Sequence, residues 1–230
     1  MKIINISKKR YGGKAYEKMV ERVLSEYNAD IVIRNFDTSL FLSKKPTKNI
    51  TIVHHTGYSF APWHVKLAAF FLAPVIMCNL RKSDAIVTVS KYWQNYFQER
   101  GYKNVYLIYN GFDLNDFNIS EGEIDSFKKE YNLIEKPIIY LGNCQKAKGA
   151  VESYEILKGL NVYLITSGEP MVKTPALHLN LEYRDYLKLL KASSIVVTMS
   201  KFKEGWCRTA HEAMLLKTPV IGSGDRKSVV

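Results

Sequence analysis

Two glutamates near the end of the chain, Glu204 and Glu212, have the spacing and the neighbours of a binding site. Carboxylates accept paired hydrogen bonds from vicinal hydroxyl groups, and Gly205 lets a ligand approach the backbone closely. On one continuous helix the two carboxylates would be ~12 Å apart along the axis, with the unpaired N–H groups of the helix N-terminus between them. This arrangement predicts a ligand made of a sugar, a phosphate and a ribose. The alternative is a pair of solvated glutamates on an exposed helix.

Three pairs of residues lie where a predicted strand gives way to a helix or a loop. Gly12-Gly13 would let backbone amides approach a phosphate or an acceptor, although a plain tight turn has the same composition. His54-His55 ends a predicted strand, where alternation directs the two imidazoles to opposite faces. Lys148-Gly149 starts a predicted helix, so the lysine and the helix dipole would act on the same anion, unless Lys148 is an ordinary surface lysine.

Short apolar runs rich in β-branched residues alternate with helical patterns along almost the whole chain. The predicted strands are residues 2–6, 31–34, 50–54, 85–89, 105–109, 137–141, 162–166, 195–198 and 219–221. The predicted helices are 14–27, 63–79 (kinked or broken at Pro74), 91–100 (capped by Ser90), 124–131, 149–158, 183–192 and 206–216. Such alternation is typical of βαβ units and parallel sheets. The polar stretch 113–123 separates two series, so we predict an α/β protein with two Rossmann-like domains, 1–118 and 119–230.

The composition is that of a globular protein, with 230 residues of which 47% are hydrophobic and 24% are charged. These values exclude disorder, collagen and a coiled coil as descriptions of the whole chain. The net charge is +11, and residues 1–120 hold 17 basic and 9 acidic groups, a surplus of +8. A basic half attracts nucleic acid, anionic lipid or phosphorylated metabolites. Nucleic acid is disfavoured because no RNA-recognition or zinc-finger motif accompanies the charge.

Cysteine spacing and hydropathy predict the compartment. The three cysteines are widely spaced, which favours reduced thiols, and the N-terminus lacks the pattern of a signal peptide. The most apolar stretch is 67–78, and its length is below the ~20 residues that cross a bilayer. We therefore expect a cytoplasmic protein with a buried helix at this position, and keep association with a membrane surface as the alternative.

Metal-binding patterns are absent from the sequence. There is no H-E-x-x-H, and no two aspartates stand two positions apart. A phosphate-binding loop of the form G-x-x-x-x-G-K-[ST] does not occur either. The acidic residues of 121–125 are more typical of a solvated linker. We expect neither a metal ion nor a cofactor.

The segment from Glu204 to Glu212, followed by Ala213-Met214 and by Thr-Pro-Val-Ile at 218–221, resembles a known motif. It is the motif of retaining GT-B glycosyltransferases of group one, the family numbered four. Other segments that resemble the family occur in the same order: Tyr11-Gly12-Gly13, Val89-Ser90, Asn110-Gly111-Phe112-Asp113, Leu141-Gly142 and Lys148-Gly149. The family pattern continues beyond the position of Val230, so we expect a small or C-terminally shortened member.

The resemblance implies a metal-independent glycosyltransferase that moves a hexosyl group from a nucleotide diphosphate sugar to an acceptor, with retention of configuration. The acceptor stays open between a lipid, a glycan and a protein. An acceptor-side N-terminal domain and a donor-binding C-terminal domain would face each other across a cleft. The residues implied as catalytic are His54, His55 and Glu204, and those implied as donor-binding are Gly12, Gly13, Asn143, Lys148, Gly205, Trp206 and Glu212.

Individual roles also follow from the resemblance. Glu204 would contact the sugar hydroxyls, Glu212 the ribose hydroxyls, and Lys148 the diphosphate. Asn143 stands where family members usually carry an arginine, so one phosphate-binding charge is missing unless Lys146 replaces it. This departure supports the alternative of a catalytically silent relative that still binds a nucleotide sugar or a lipid.

Overall fold

The computed structural model describes residues 1–6, 29–43, 46–56, 63–202 and 204–223. This part of the chain forms two units, the first within Met1–Asn110 and Glu204–Trp206, the second within Gly111–Lys203 and Cys207–Arg226. Each unit holds a five-stranded parallel sheet, so the predicted α/β class with two parallel sheets is confirmed. The division precedes the predicted boundary after residue 118, because the 3-10 turn Leu114–Phe117 packs through Phe117 on the second unit's core.

The first unit has its strands in chain order, each parallel to the next. Its strands are β1 (Ile3–Asn5), β2 (Ile31–Asn35), β3 (Lys48–Val53), β4 (Ala85–Thr88) and β5 (Val105–Leu107), and its described helices are α1 (Trp63–Leu80) and α2 (Lys91–Glu99). Ser90 caps α2 as predicted, because its hydroxyl accepts a hydrogen bond from the Trp93 amide. Trp93 and Phe97 of this helix are buried against Ile86 of β4. The apolar face of α2 therefore forms the centre of this core.

Helix α1 differs from its prediction in its burial. It runs through Pro74 without a break, and of its eighteen residues only Ile76 and Leu80 are buried. Its C-terminal end is fixed to the unit, because the Asn79 amide donates hydrogen bonds to the carbonyls of Ser39 (3.1 Å) and Leu40 (2.8 Å). The expected burial was wrong because it rested on composition, which does not show how few of these side chains face the core.

The second unit has the strand order β10-β9-β6-β7-β8, all parallel. The strands are β6 (Ile138–Asn143), β7 (Tyr163–Ser167), β8 (Leu177–Leu179), β9 (Ile195–Thr198) and β10 (Val220–Gly222). The helices described in this unit are α3 (Glu121–Glu130), α4 (Ala150–Leu157), α5 (Tyr183–Ala192) and α6 (Arg208–Leu215). Because β6 is central and the order reverses beside it, the carboxyl ends of β6 and β9 are where an open α/β sheet binds its ligands.

A capping box opens α3. The Ser120 hydroxyl accepts from the Glu123 amide, while the Ser120 amide donates to the Glu123 carboxylate at 2.9 Å. Arg184 of α5 donates to the same carboxylate at 2.8 Å. These bonds, the Ser120 amide first, lower the pKa of Glu123 from 4.5 to about 2. The start of α3 is thus joined to α5 by an ionised carboxylate.

Candidate functional site

His54 and His55 follow the last residue of β3 in the first unit. The pKa of His54 lies below 6.5, mainly because partial desolvation disfavours the imidazolium and also because of the charge of His55. His54 is therefore neutral at neutral pH, with one ring nitrogen as a donor and the other as an acceptor. The His54 carbonyl lies against Gly205, where an added Cβ would overlap it. Only glycine fits there, and two predicted site positions come together in this unit.

The segment Glu204–Trp206 precedes helix α6 and is grouped with the first unit. Glu204 is buried, and the Trp206 ring packs on the Tyr109 ring with centroids 5.4 Å apart. Helix α6 begins only at Arg208, because Cys207 has a non-helical ψ of 86°. The predicted helix start at 206 was wrong. Glu204 is not on the helix of Glu212, so the separation of ~12 Å along one axis does not apply.

Asn143 lies at the carboxyl end of β6, next to an irregularity in the strand. Gly142 has a φ of +80°, and the register with β7 shifts between Tyr140 and Asn143. The Tyr140 hydroxyl donates to the Asn143 side chain at 3.3 Å and lies 2.7 Å from the Ser167 hydroxyl. Asn143 is held in place but carries no charge, so it cannot neutralise a phosphate in the way that an arginine would.

Lys148 and Gly149 form the turn that leads into α4. Lys148 ends the 3-10 turn Lys146–Lys148, and Gly149 has a φ of +71° in the left-handed region. An added Cβ at Gly149 would overlap the Met199 carbonyl oxygen, so the position requires glycine for two reasons. The Lys148 ammonium lies 5.1 Å from the centroid of the Phe202 ring. Helix α4 has no side-chain cap, and Lys148 directly precedes its N-cap residue Gly149; we name Lys148 and this helix N-terminus the positive site.

Glu212 on α6 is almost completely buried and accepts three side-chain hydrogen bonds. One carboxylate oxygen accepts from Arg208 Nε at 2.6 Å and from the Tyr183 hydroxyl at 3.2 Å, and the other accepts from the Tyr186 hydroxyl at 3.1 Å. Burial raises the pKa values of both tyrosines, and the negative charge of Glu212 adds to the effect. The two hydroxyls therefore stay protonated and act as donors.

Sequence reasoning missed the three partners of Glu212. Arg208 could have been found, because a cation four positions before a glutamate lies beside it on a helix. Tyr183 and Tyr186 lie on α5, and only the fold brings them to α6. Their spacing of three residues gives no indication of a carboxylate partner.

Two predicted positions, Gly12 and Gly13, lie outside the described residues. Within the ranges that the structure does describe, no group of three or more His, Cys, Asp or Glu side chains could hold a metal ion. The other predicted residues belong to separate groups, with His54, His55, Glu204, Gly205 and Trp206 in the first unit and Asn143, Lys148 and Glu212 in the second.

A sequence profile decides the family. The profile of Glycosyltransferase Family 4 matches residues 2–116, half of the 230-residue chain. The chain belongs to Glycosyltransferase Family 4. This confirms the family that the ordered motifs predicted. No sequence among curated proteins matches this family-4 chain significantly.

Solved structures agree with the assignment to this family. The chain is similar to Anabaena HepE in complex with UDP-glucose, with a TM-score of 0.73 and 17% identity over 89% of this chain and 62% of HepE. It is also similar to sucrose-phosphate synthase from Thermosynechococcus elongatus, with a TM-score of 0.71 and 17% identity over 93% of this chain and 62% of that one. The family-4 chain thus spans less than two thirds of these proteins. At this identity the similarity establishes the fold, two parallel sheets with flanking helices as in GT-B glycosyltransferases.

Proposed function

We propose that this chain transfers a hexosyl group from a nucleotide diphosphate sugar to an acceptor, with retention of configuration and without a metal ion. The observation that carries the proposal is the positive site at Lys148 and Gly149, at the carboxyl end of the central strand β6. The HepE structures that the chain resembles contain UDP-glucose or UDP, which supports a nucleotide-sugar donor. The acceptor stays open between a lipid, a glycan and a protein.

The diphosphate is the part of the donor that the positive site fits. Gly149 packs directly on the Met199 carbonyl, and this contact fixes the turn that carries Lys148. The lysine and the amides at the start of α4 would stabilise the negative charge that develops as the diphosphate leaves. We propose that these groups supply the charge compensation, with no cofactor and no cation in that role. Asn143 would contribute a neutral hydrogen bond to the donor.

The ribose hydroxyls are the proposed partners of Glu212. A carboxylate has about four acceptor positions, and Arg208, Tyr183 and Tyr186 occupy three of them. One position remains for a ribose hydroxyl, and a second would open if the longest bond, from Tyr183 at 3.2 Å, were displaced. Glu212 would therefore bind a vicinal diol by exchanging one tyrosine hydroxyl for one sugar hydroxyl.

The transferred sugar is the proposed partner of the residues in the first unit. Glu204 would accept hydrogen bonds from its hydroxyls, and Gly205, packed on the His54 carbonyl, would hold this segment beside the histidines at the donor. Trp206 would flank the donor. Neutral His54 would donate or accept one hydrogen bond at the sugar, with His55 beside it. In a same-face mechanism the leaving phosphate assists deprotonation of the acceptor, so we assign no general base.

A second candidate function is that of a catalytically silent relative that binds a nucleotide sugar or a lipid. The uncharged Asn143 favours it, because the diphosphate would then have less charge compensation during departure. Under either function we propose a cytoplasmic protein that can associate with an anionic membrane surface.

Thermal-shift titration with a panel of nucleotide sugars, followed by donor turnover, tests the proposal. A donor at 100 times its dissociation constant should stabilise the protein by ~2.7 kcal/mol. We expect Lys148→Ala to weaken donor binding at least tenfold, while Lys158→Ala, a matched exposed lysine just beyond α4, leaves it unchanged. Glu204→Ala should abolish turnover with little change in nucleotide affinity. Binding without turnover in the unmodified protein would favour the silent relative. No stabilisation by any donor would reject the transferase and the silent relative that binds a nucleotide sugar.

A further inference from the structure

Helix α1 exposes an apolar surface that nothing in the described part of the chain covers. We name this the α1 apolar surface, made of Trp63, Leu67, Phe70, Phe71, Leu72 and Val75. Trp63, Phe70 and Phe71 are 76%, 74% and 67% exposed. Soluble monomers rarely expose apolar patches that include several large aromatic side chains. Such a surface typically marks a site that binds a ligand, a partner or a membrane.

The exposed side chains are spread around the helix. At 100° per residue, the six side chains are spread over an arc of about 200° around the helix axis. Phe70 and Leu72 lie at the two ends of this arc, and Trp63 and Val75 lie between them. A helix that packs on another protein typically uses a narrower stripe of about 100° and keeps polar groups on the rest. The wide arc indicates an apolar medium that surrounds the helix on several sides.

The charged residues that flank α1 in the sequence, and the one within it, are basic. No aspartate or glutamate occurs between Asp37 and Asp84, whereas that stretch contains Lys44, Lys45, Lys48, Lys66, Arg81 and Lys82. Lys66 itself is exposed on α1, where its long stem can extend along the apolar side chains while the ammonium stays in a polar layer. Apolar side chains flanked by basic residues complement a bilayer that has anionic headgroups over hydrocarbon.

The sheet of the first unit excludes a full crossing of the bilayer by α1. The helix is long and apolar enough to cross by length and composition, with a mean hydropathy of 1.5. However, α1 is the connection between β3 and β4, which pair in parallel from Ile50↔Ala85 to Val53↔Thr88. One crossing would place these two hydrogen-bonded strands on opposite sides of the membrane. Both ends of the helix must therefore stay on the same side of the bilayer.

We propose that the α1 apolar surface inserts into one leaflet of an anionic lipid membrane and holds the protein there as a peripheral, monotopic protein. The anchored C-terminal end of α1, where Ile76 and Leu80 are buried and Asn79 is hydrogen-bonded, stays with the first unit. The region from Trp63 to Val75 enters the interface, where Trp63 suits the headgroup level. The proposal does not depend on the transferase activity, because it concerns lipid alone.

Vesicle sedimentation with the full chain tests the proposal. The probes are vesicles of phosphatidylcholine alone and vesicles of phosphatidylcholine with phosphatidylglycerol. We expect binding to the anionic vesicles, and a decrease of more than tenfold in the partition coefficient for Phe70→Ser/Phe71→Ser. The matched control is Ile156→Ser/Leu160→Ser in the second unit, where the side chains are 78% and 53% exposed. This control should bind as the unmodified protein does.

A second measurement detects the insertion of α1 directly and does not rely on a variant that loses vesicle binding. Brominated lipids in the anionic vesicles should quench the fluorescence of Trp63, and Trp63→Phe should remove most of that quenching. Equal sedimentation of the unmodified protein and Phe70→Ser/Phe71→Ser would overturn the proposal, as would no binding to anionic vesicles. A dimer that Phe70→Ser/Phe71→Ser converts to a monomer, without lipid binding by either, would overturn it in favour of a second copy of the chain.

Discussion

The bond between Arg208 and the buried Glu212 offers a quantitative test of the second unit. We expect Arg208→Met to lower the free energy of unfolding by ~2–4 kcal/mol. The bond to a carboxylate, at 2.6 Å, contributes ~1.5–3 kcal/mol, and the contact of the guanidinium with the Tyr183 ring at 5.1 Å contributes ~0.5–1 kcal/mol. A pair buried on both sides would cost ~3–5 kcal/mol. The Arg208 side chain is 61% exposed, so solvent screening makes the expected loss smaller than for such a fully buried pair.

A double-mutant cycle with Glu212→Gln isolates the interaction. Urea denaturation of the four proteins, followed by circular dichroism, should give a cost below ~1 kcal/mol for Arg208→Met in the Glu212→Gln background, and a coupling energy of ~1–3 kcal/mol. The single variant should also melt ~5–15 °C lower, at ~2–4 °C per kcal/mol for a chain of this size. Lys158→Met is the matched control, because its partner Glu155 and Lys158 itself are both half-exposed, and it should change little. If Arg208→Met costs the same in both backgrounds, the ion pair with Glu212 is not the source of the stability.

Three further predictions concern the backbone at Gly149 and the titration of the side chains of Glu123 and His54. Gly149→Ala should cost more than ~2 kcal/mol in thermal unfolding, because it adds left-handed strain to an overlap with a carbonyl, whereas Gly159→Ala, which meets open space, should not. The pKa of Glu123 is depressed, so its contribution to the free energy of unfolding should be full above pH 4.5 and disappear as the pH falls towards about 2. In urea denaturation at a series of pH values, Glu123→Gln should flatten this part of the dependence of that free energy on pH. The pKa of His54 is also depressed, so stability should decrease as the pH falls below 6.5, and the His54 NMR titration should have its midpoint below that value. A midpoint above 6.5 would contradict the desolvation argument.

Strands whose own residues carry a clear pattern were predictable. The strands Ile138–Asn143 and Ile195–Thr198 begin with runs of apolar residues, as is typical of strands buried on both faces of a parallel sheet. Strand Leu177–Leu179 was missed because its three residues have no pattern of their own, and it exists through pairing with β7 at Ile165↔Leu177. That pairing is a contact between residues far apart in sequence, which a local pattern does not record.

In the candidate site, too, local patterns were predictable from the sequence and contacts between distant residues were not. The turn at Lys148-Gly149 was predictable because a glycine before a helix is a local pattern, and the structure adds the Met199 carbonyl that makes glycine necessary. Glu212 was proposed as a site residue from its motif, but the motif does not predict its partners on α5, since Tyr186 is 26 positions away. The start of α6 was misplaced because helical periodicity does not register the single non-helical residue Cys207.

The three tryptophans of the chain, Trp63, Trp93 and Trp206, all belong to the first unit. Trp93 is buried in its core, whereas Trp63 is on the exposed helix α1. Emission from Trp63 and Trp93 therefore reports on this unit, while the second unit contributes tyrosine emission and its share of the far-ultraviolet dichroism. Denaturation curves recorded by both signals would separate the transition of one sheet from that of the other without any added label. The Trp63→Phe variant would further simplify the emission by removing its most solvent-exposed indole.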